Sequence, residues 1–529
     1  MGCDAVRSLV LVCWVEQDIW QLLVEFAEFA RMKSVLKALK LGKTDKEMRK
    51  YLGKTDKLLY ICHGKADKIR PFNIRKGDKD MIKRKIDRYL ADFFEANKKA
   101  LMLTGARQIG KTYSIRRFGH EHFERFVEIN FIENPGLIKV FSKAKNSQDI
   151  LLRLSTITHQ DLIKGNTLVF FDEVQECPEI VTAIKFLVEE GSYRYILSGS
   201  LLGVEIKNLR SAPVGYMDMK DMYPLDLEEF ATALGINGKI IETLRNHFAE
   251  GTAVDEFIHE KMMEIFRLYL IVGGMPAAVD KYLVTNNLQE VMAEQQAIIR
   301  LYKQDIAKYD PDRKLYIQEI FDRIPAELDA KNKRFILKNL NENIKFSRYQ
   351  NSFLWLKDAG VALPVYNVEE PTVPLILSSC RNLFKLFMAD IGLLASLYAD
   401  GIQLKILDNE PSINFGSVYE NAVAQELWAH GFQLYYYNNK RQGELDFVIE
   451  QNGEVLPLEV KSGKDYERHK ALSNVMSSNT YQISKAYVLC NDNVKRVGKI
   501  TYLPIYMLMF IEKEQSLPTQ YSIDLSGLV

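Results

Sequence analysis

Short apolar runs alternate with helix-like segments through the first half of the chain. Ala100–Thr104, Phe126–Asn130, Thr167–Phe171 and Tyr195–Ser198 are short enough and apolar enough to be buried strands. Helical patterns such as Ile82–Ala96 and Tyr113–Gly119 fall between them. That alternation predicts a parallel sheet covered on both faces. Helices then dominate from Leu225 to Tyr309, including Lys261–Ile271, which stops at Gly273-Gly274 ahead of Pro276. This stretch is expected to pack on the sheet domain as a lid. Next come three helix-like segments, Leu315–Arg323, Arg334–Leu340 and Ser347–Ala359, and two apolar pieces, Val361–Tyr366 and Thr372–Leu377. Three helices and a hairpin are the order of a winged helix. Beyond residue 400 a helix (Gly416–Leu427) precedes strands at Leu434–Tyr437, Gly443–Ile449 and Val455–Lys461, with a turn at Asn452-Gly453.

At 529 residues the chain is too long for one core. Its 47% apolar and 26% charged content are those of an ordinary globular protein, and a formal net charge of +1 selects no class of partner. Six cysteines, Cys3, Cys13, Cys62, Cys177, Cys380 and Cys490, lack paired spacing. That argues against a zinc site or disulfide framework and for reduced thiols in a cytoplasm. No apolar run has the length of a membrane span, so no membrane association is expected.

The candidate chemistry starts at the end of the first strand. Gly105-Ala106-Arg107-Gln108-Ile109-Gly110-Lys111-Thr112 fits the phosphate-cradling pattern in which two glycines curl the backbone so that N–H groups face oxyanions. Lys111 would reach the β- and γ-phosphates of ATP, and the Thr112 hydroxyl would hold Mg2+. The strand at Thr167 ends in Asp172-Glu173. Asp172 is placed to hold the magnesium through water and Glu173 to polarise the attacking water. An acidic surface turn is the bland alternative, and the phosphate loop upstream argues against it. At the tip of the next strand Ser198 or Ser200 is the candidate γ-phosphate sensor, although Ser198-Gly199-Ser200 is also an ordinary turn.

A second constellation lies near the C-terminus. Glu420 sits on a helix, Asp446 on one strand, and Glu459 and Lys461 two apart on its hairpin partner, hence on one face. Carboxylates from separate elements are what a hard cation needs for phosphodiester hydrolysis, with a lysine to orient the water. Alternating charges on a sheet edge explain a lone Glu-x-Lys equally well.

These motifs carry a family resemblance. The chain resembles the AAA-type ATPases of bacteria and archaea whose C-terminal domain of unknown function is related to the PD-(D/E)XK nucleases. The resembling pieces are the phosphate loop with its Arg107-Gln108 pair, Asp172-Glu173-Val174-Gln175, Gly199-Ser200, Tyr223-Pro224-Leu225-Asp226-Leu227-Glu228-Glu229-Phe230, Gly273-Gly274-Met275-Pro276, Asp390-Ile391-Gly392-Leu393 and the Asp446, Glu459, Lys461 set. In one place the pattern departs: where many members have a Gly-Arg pair, this chain has Gly215-Tyr216, and Arg210 is the nearest substitute for an arginine finger.

The resemblance covers roughly residue 81 to the C-terminus, and with the element order it gives an α/β chain in five parts. Residues 1–80 form a lysine-rich extension, either an accessory helical region or sequence upstream of the true start. Residues 81–225 form the P-loop ATPase core, 226–310 the helical lid, 311–400 the winged helix and 401–529 the nuclease-like domain. The expected cofactors are ATP and Mg2+. The winged helix would meet DNA through Arg348, Gln350 and Lys357 or would dock a protein. The terminal domain would either cleave, with Glu420, Asp446 and Glu459 as metal ligands, or recognise without cleaving.

Overall fold

The computed structural model describes residues 82–513 except 145, 159–160, 200–212, 310–313, 331–332, 337–345, 399–400, 409, 411–414 and 479, and also residues 522–523. Residues 1–80, Ser200 and Arg210, named above, lie outside the described residues.

Helix α1 (Lys85–Ala96) leads into β1 (Ala100–Thr104), the phosphate loop and α2 (Lys111–His122). Then follow β2 (Arg125–Asn130), α3 (Gly136–Ser142), α4 (Ser147–Thr158), β3 (Thr167–Asp172), α5 (Pro178–Glu190), β4 (Arg194–Ser198) and β5 (Met217–Asp221). The five strands form one sheet in the order β2-β3-β4-β1-β5, parallel throughout. Its strands are apolar on both faces because both are covered. Met102, Val169, Phe171 and Leu197 face α3, α4 and α5, whereas Leu101, Leu103, Leu168, Phe170 and Ile196 face α1 and α2.

The second of these cores does not stop at the sheet. It continues through α6 (Leu227–Ala233), α7 (Gly238–Glu250), α8 (Glu256–Val272), α9 (Pro276–Thr285) and α10 (Leu288–Tyr309). Past them it takes in residues of α11 (Lys314–Asp329) and α12 (Phe346–Asp358) and reaches the C-terminal region. Pro276 opens α9 as a first-turn residue, where a missing N–H costs nothing. The corner before it needs a glycine: a side chain on Gly274 would strike the Leu225 backbone, with which it exchanges a 2.7 Å hydrogen bond. Among the described residues no single helix is long and apolar enough to cross a membrane.

The C-terminal sheet holds the largest departure from the sequence reading. Strands β6 (Ala362–Val368) and β7 (Ser379–Met388) form the hairpin expected of a wing, but they pair into a larger sheet. The remaining elements are α13 (Ile391–Ser396), α14 (Ile402–Leu407), α15 (Phe415–Ala429), β8 (Tyr435–Asn439), β9 (Gly443–Gln451), β10 (Glu454–Val460), α16 (Lys470–Met476), β11 (Ala486–Cys490), β12 (Lys495–Val497) and β13 (Ile500–Pro504). All eight strands form one sheet, β12-β13-β11-β10-β9-β8-β6-β7, with β6 parallel to β8. Helices α11 and α12 therefore pack beside a hairpin that continues the terminal sheet across residue 400. The second hairpin strand also begins later than Thr372: Leu375–Ser378 is a single 3-10 turn, and the strand is the following segment.

Helix α15 is buried on nearly every side. Its apolar residues Val418, Ala422, Val423 and Leu427 are joined by buried Glu420, Asn421, Gln425 and Glu426. Each polar one is partnered, as burial demands: Asn421 exchanges bonds with both backbone groups of Met388, and Gln425 accepts from Ile391 N–H.

Candidate functional site

The phosphate loop is built as its residue types require. Gly105 has φ 130° and Gly110 φ 92°, values that favour glycine. At Gly105 a side chain would also meet the Met222 carbonyl. Lys111 is buried at the first turn of α2, and its Nζ donates to the Gly105 and Ala106 carbonyls at 2.9 and 2.7 Å. Burial pulls the ammonium down to about 8, against the opposing pull of Glu173 and Asp172. A phosphate in the loop would return it to full charge.

Asp172 stands at the end of β3 with the Glu173 N–H and three neutral side-chain donors around it. Thr112 Oγ1 donates to its Oδ2 at 3.1 Å, Asn130 Nδ2 to the same oxygen at 3.1 Å, and Ser198 Oγ to Oδ1. Burial raises its carboxyl, and the Ser198 hydroxyl holds it back. Thr112 and Asp172 are thus in contact across 60 residues of chain. One hydroxyl and one carboxylate, without an adjoining lysine pair, fit a magnesium ion that takes its other ligands from water and phosphates. Glu173 follows in the left-handed region at φ 55°, and Gln175 Nε2 donates to its Oε2 at 2.6 Å. Gln175 so fixes the carboxylate that the sequence reading assigns to the attacking water.

Sequence reasoning missed several residues here. Asn130 ends β2 beside β3, so the parallel sheet brings it to Asp172; its place at a strand tip was the available signal. Arg84 donates from Nη1 to the Ile109 carbonyl at 3.0 Å. Tyr302 OH donates to the Arg107 carbonyl at 3.2 Å, and Arg107 pairs with Asp305 at 2.9 Å. A Cβ on Gly360 would lie 3.3 Å from Ala106. Arg84, Tyr302, Asp305 and Gly360 all lie more than 20 residues from the loop, and local pattern holds no trace of them.

The C-terminal carboxylates do come together. Leu458 pairs with Phe447, so the next pair along the antiparallel ladder sets Glu459 opposite Asp446 on one face. Burial, with Glu420 and Glu459 nearby, lifts Asp446 well above the usual carboxylate range, and its Oδ2 accepts from Val460 N–H at 2.8 Å. Lys461 Nζ lies 2.6 Å from Glu459 Oε1. What the sequence did not disclose is Lys385, fully buried on β7. Its ammonium is 3.4 Å from Glu420 Oε2 and 2.9 Å from Glu444 Oε1, while Lys333 Nζ donates to Glu420 Oε1. Burial pushes Glu420 up, but Lys385 and Lys333 together pull it below the usual range. Among the described residues no three His, Cys, Asp or Glu are grouped to hold a metal. As arranged, Glu420 is paired with Lys385 and Lys333 and Glu459 with Lys461, with Asp446 beside them on a backbone N–H, and that arrangement does not fit a divalent cation.

Residues 97–231 match the family described as AAA domain. Residues 263–406 match a domain of unknown function, DUF8612, and residues 415–508 another, DUF4143. No curated protein matches the chain. Among solved structures it is similar to a Walker-type ATPase of Pyrococcus abyssi, at 17% identity and TM-score 0.36, covering 62% of this chain and 99% of that one. It is similar also to the ORC1 protein of Aeropyrum pernix in complex with DNA, at 12% identity and TM-score 0.24, covering 63% and 94%. A third is RuvB of Thermotoga maritima, at 14% identity and TM-score 0.25, covering 55% and 89%. The AAA-domain match, residues 97–231, spans the five-stranded parallel sheet.

Proposed function

We propose that the protein is a magnesium-dependent ATPase that couples ATP hydrolysis to conformational change in its C-terminal domains, which bind DNA or a protein. The observation that carries this is the meeting of Thr112 with Asp172 beside a buried Lys111. Thr112 and Asp172 would hold the magnesium, directly and through water, and the bound ion would neutralise charge on the β- and γ-phosphates. Lys111 would exchange its loop carbonyls for phosphate oxygens, and Glu173, held by Gln175, would orient the water.

The lysines around Glu420 favour a terminal domain that recognises without cleaving. Removing Lys111 by Lys111→Ala should weaken ATP binding by about a hundredfold, the loss of one strong charge-assisted contact. Glu173→Gln should keep the affinity and lower turnover by about 10²–10⁴-fold. Titration calorimetry and phosphate release on both variants test the split, and normal turnover in Glu173→Gln would remove the base assignment.

A further inference from the structure

Four motifs of this sequence remain without a role in the nucleotide site: Tyr223–Phe230, Gly273–Pro276, Asp390–Leu393 and the polar positions of α15. In the structure they meet at one buried place directly behind the phosphate loop. Arg84 stands at its head. Its guanidinium donates to the Ile109 carbonyl of the loop, to the Tyr223 carbonyl at 2.7 Å and to Glu229 Oε2 at 3.1 Å. Glu229 in turn accepts from Asp226 N–H at 3.2 Å, and Asp226 Oδ1 accepts from Glu229 N–H at 2.8 Å, so both ends of this turn are locked. The adjoining Leu227 N–H donates to both carboxylate oxygens of Glu426 on α15 at 3.1 Å.

A second branch runs alongside. Leu225 N–H donates to the Gly274 carbonyl, and Gly274 N–H donates to Asp390 Oδ2 at 2.7 Å. Tyr269 OH donates to the Leu225 carbonyl at 2.8 Å and accepts from Gln425 Nε2, again on α15, at 2.8 Å. Asp226, Glu229, Tyr269, Asp390, Gln425 and Glu426 are all buried. The two branches join the three family-matched segments, and Arg84 precedes the first of them.

We propose that this buried network couples the phosphate loop to helix α15, with Arg84 as the positioning residue that passes a shift of Ile109 to the Asp226–Glu229 turn and on to Glu426. The proposal rests on the ATP-binding reading above. The loop has two arrangements to transmit, one with Lys111 on its own carbonyls and one with Lys111 on phosphate. Arg84 suits the task because its planar fork holds three acceptors at once, which a lysine ammonium on a flexible stem does not. Coupling of this kind is reciprocal, so a change at Glu426 must be felt as a change in ATP affinity.

The test uses the full chain with ATP and Mg2+. Arg84→Lys and Glu426→Gln should each weaken ATP binding by about tenfold, and the double variant no more than the weaker-binding single one. Hydrogen–deuterium exchange across residues 415–429 should change on adding ATP in the wild type and lose that response in both variants. A purely structural role for Glu426 predicts a lowered melting temperature with unchanged ATP affinity, and that result overturns the proposal. So do effects that multiply independently, or an ATP-bound wild type with no change in residues 415–429. A wild type that binds no ATP removes the underlying reading instead, and the coupling with it. If Arg84→Lys does not fold, Asp390→Asn from the second branch takes its place under the same criteria.

Discussion

Two carboxylate clusters in this molecule, each a candidate metal site in the sequence, differ in what surrounds them. Asp172 is met by a threonine hydroxyl, an asparagine amide and a serine hydroxyl. Neutral donors orient a carboxylate without cancelling its charge, so a cation gains the full attraction on arrival. Glu420 is met by two ammonium groups and Glu459 by a third. There the compensating charge is already covalently part of the chain, and a divalent ion would have to displace it from a site where Lys385 has no exposure at all. Whether converging acids make a metal site is decided by the sign and origin of their nearest neighbours.

The comparison breaks most easily at Lys385. Lys385→Met removes the charge and leaves Glu420 and Glu444 beside an apolar chain. Breaking a buried pair from one side costs about 3–5 kcal/mol, and Lys333, still paired with Glu420, should hold the loss toward the lower end of that range. Urea unfolding of Lys385→Met should show that loss, and the double variant Lys385→Met/Glu420→Gln should recover part of it. A near-neutral Lys385→Met would mean that the cluster is not held as ion pairs.

Asp390 belongs to neither cluster and shows what burial among backbone N–H groups does to a carboxyl with no ammonium beside it. Burial lifts its carboxyl to about 6, against the backbone N–H groups of Gly274, Leu393 and Gly392. A raised folded value means the native state keeps its proton while the unfolded chain loses it near the ordinary value of 3.8. The contribution of this group to stability is therefore greatest at low pH and declines as pH rises from about 4 to about 6, by roughly 2–3 kcal/mol in all. The stability of the wild type relative to Asp390→Asn should fall by that amount across the window and level off above it. A constant difference would show that the buried carboxyl is already ionised throughout.

The smallest effect is expected at Asn130. Its amide orients Asp172 through one neutral hydrogen bond, worth about 1 kcal/mol. Asn130→Ala should raise the magnesium concentration needed for half-maximal hydrolysis by about fivefold. No change would place the orienting role on Thr112 and Ser198 alone.

What could be read from the sequence follows the range of the interactions. The phosphate loop, the acidic strand end and the capped turn at Asp226 are local: glycine dihedrals, strand length and spacing carry them. Asn130 and Ser198 required only the parallel order of adjacent strands. Lys385 was hidden because a lysine within Ser379–Met388 breaks the apolar run, and the exposed start of that strand looks like loop. The preceding Thr372–Leu377 looked more strand-like, and the hairpin was drawn there. Arg84 and Glu426 carried no signal of their place in the network, since the partners that tie them into it lie 25 to 199 residues away.

Helix α15 has a mechanical consequence of its own. Its side chains grip backbone groups on different pieces of the molecule: Met388 at the end of β7, Ile391 at the start of α13, and Leu227 in the turn behind the phosphate loop. Sliding or rolling by even one residue would tear every one of these at once with no water to replace them. The helix can therefore travel only as a bolt travels, with the plates it fastens. On the function proposed above, a stroke generated at the five-stranded sheet would arrive at the eight-stranded sheet as a tilt of whole blocks, with no part for friction between helices.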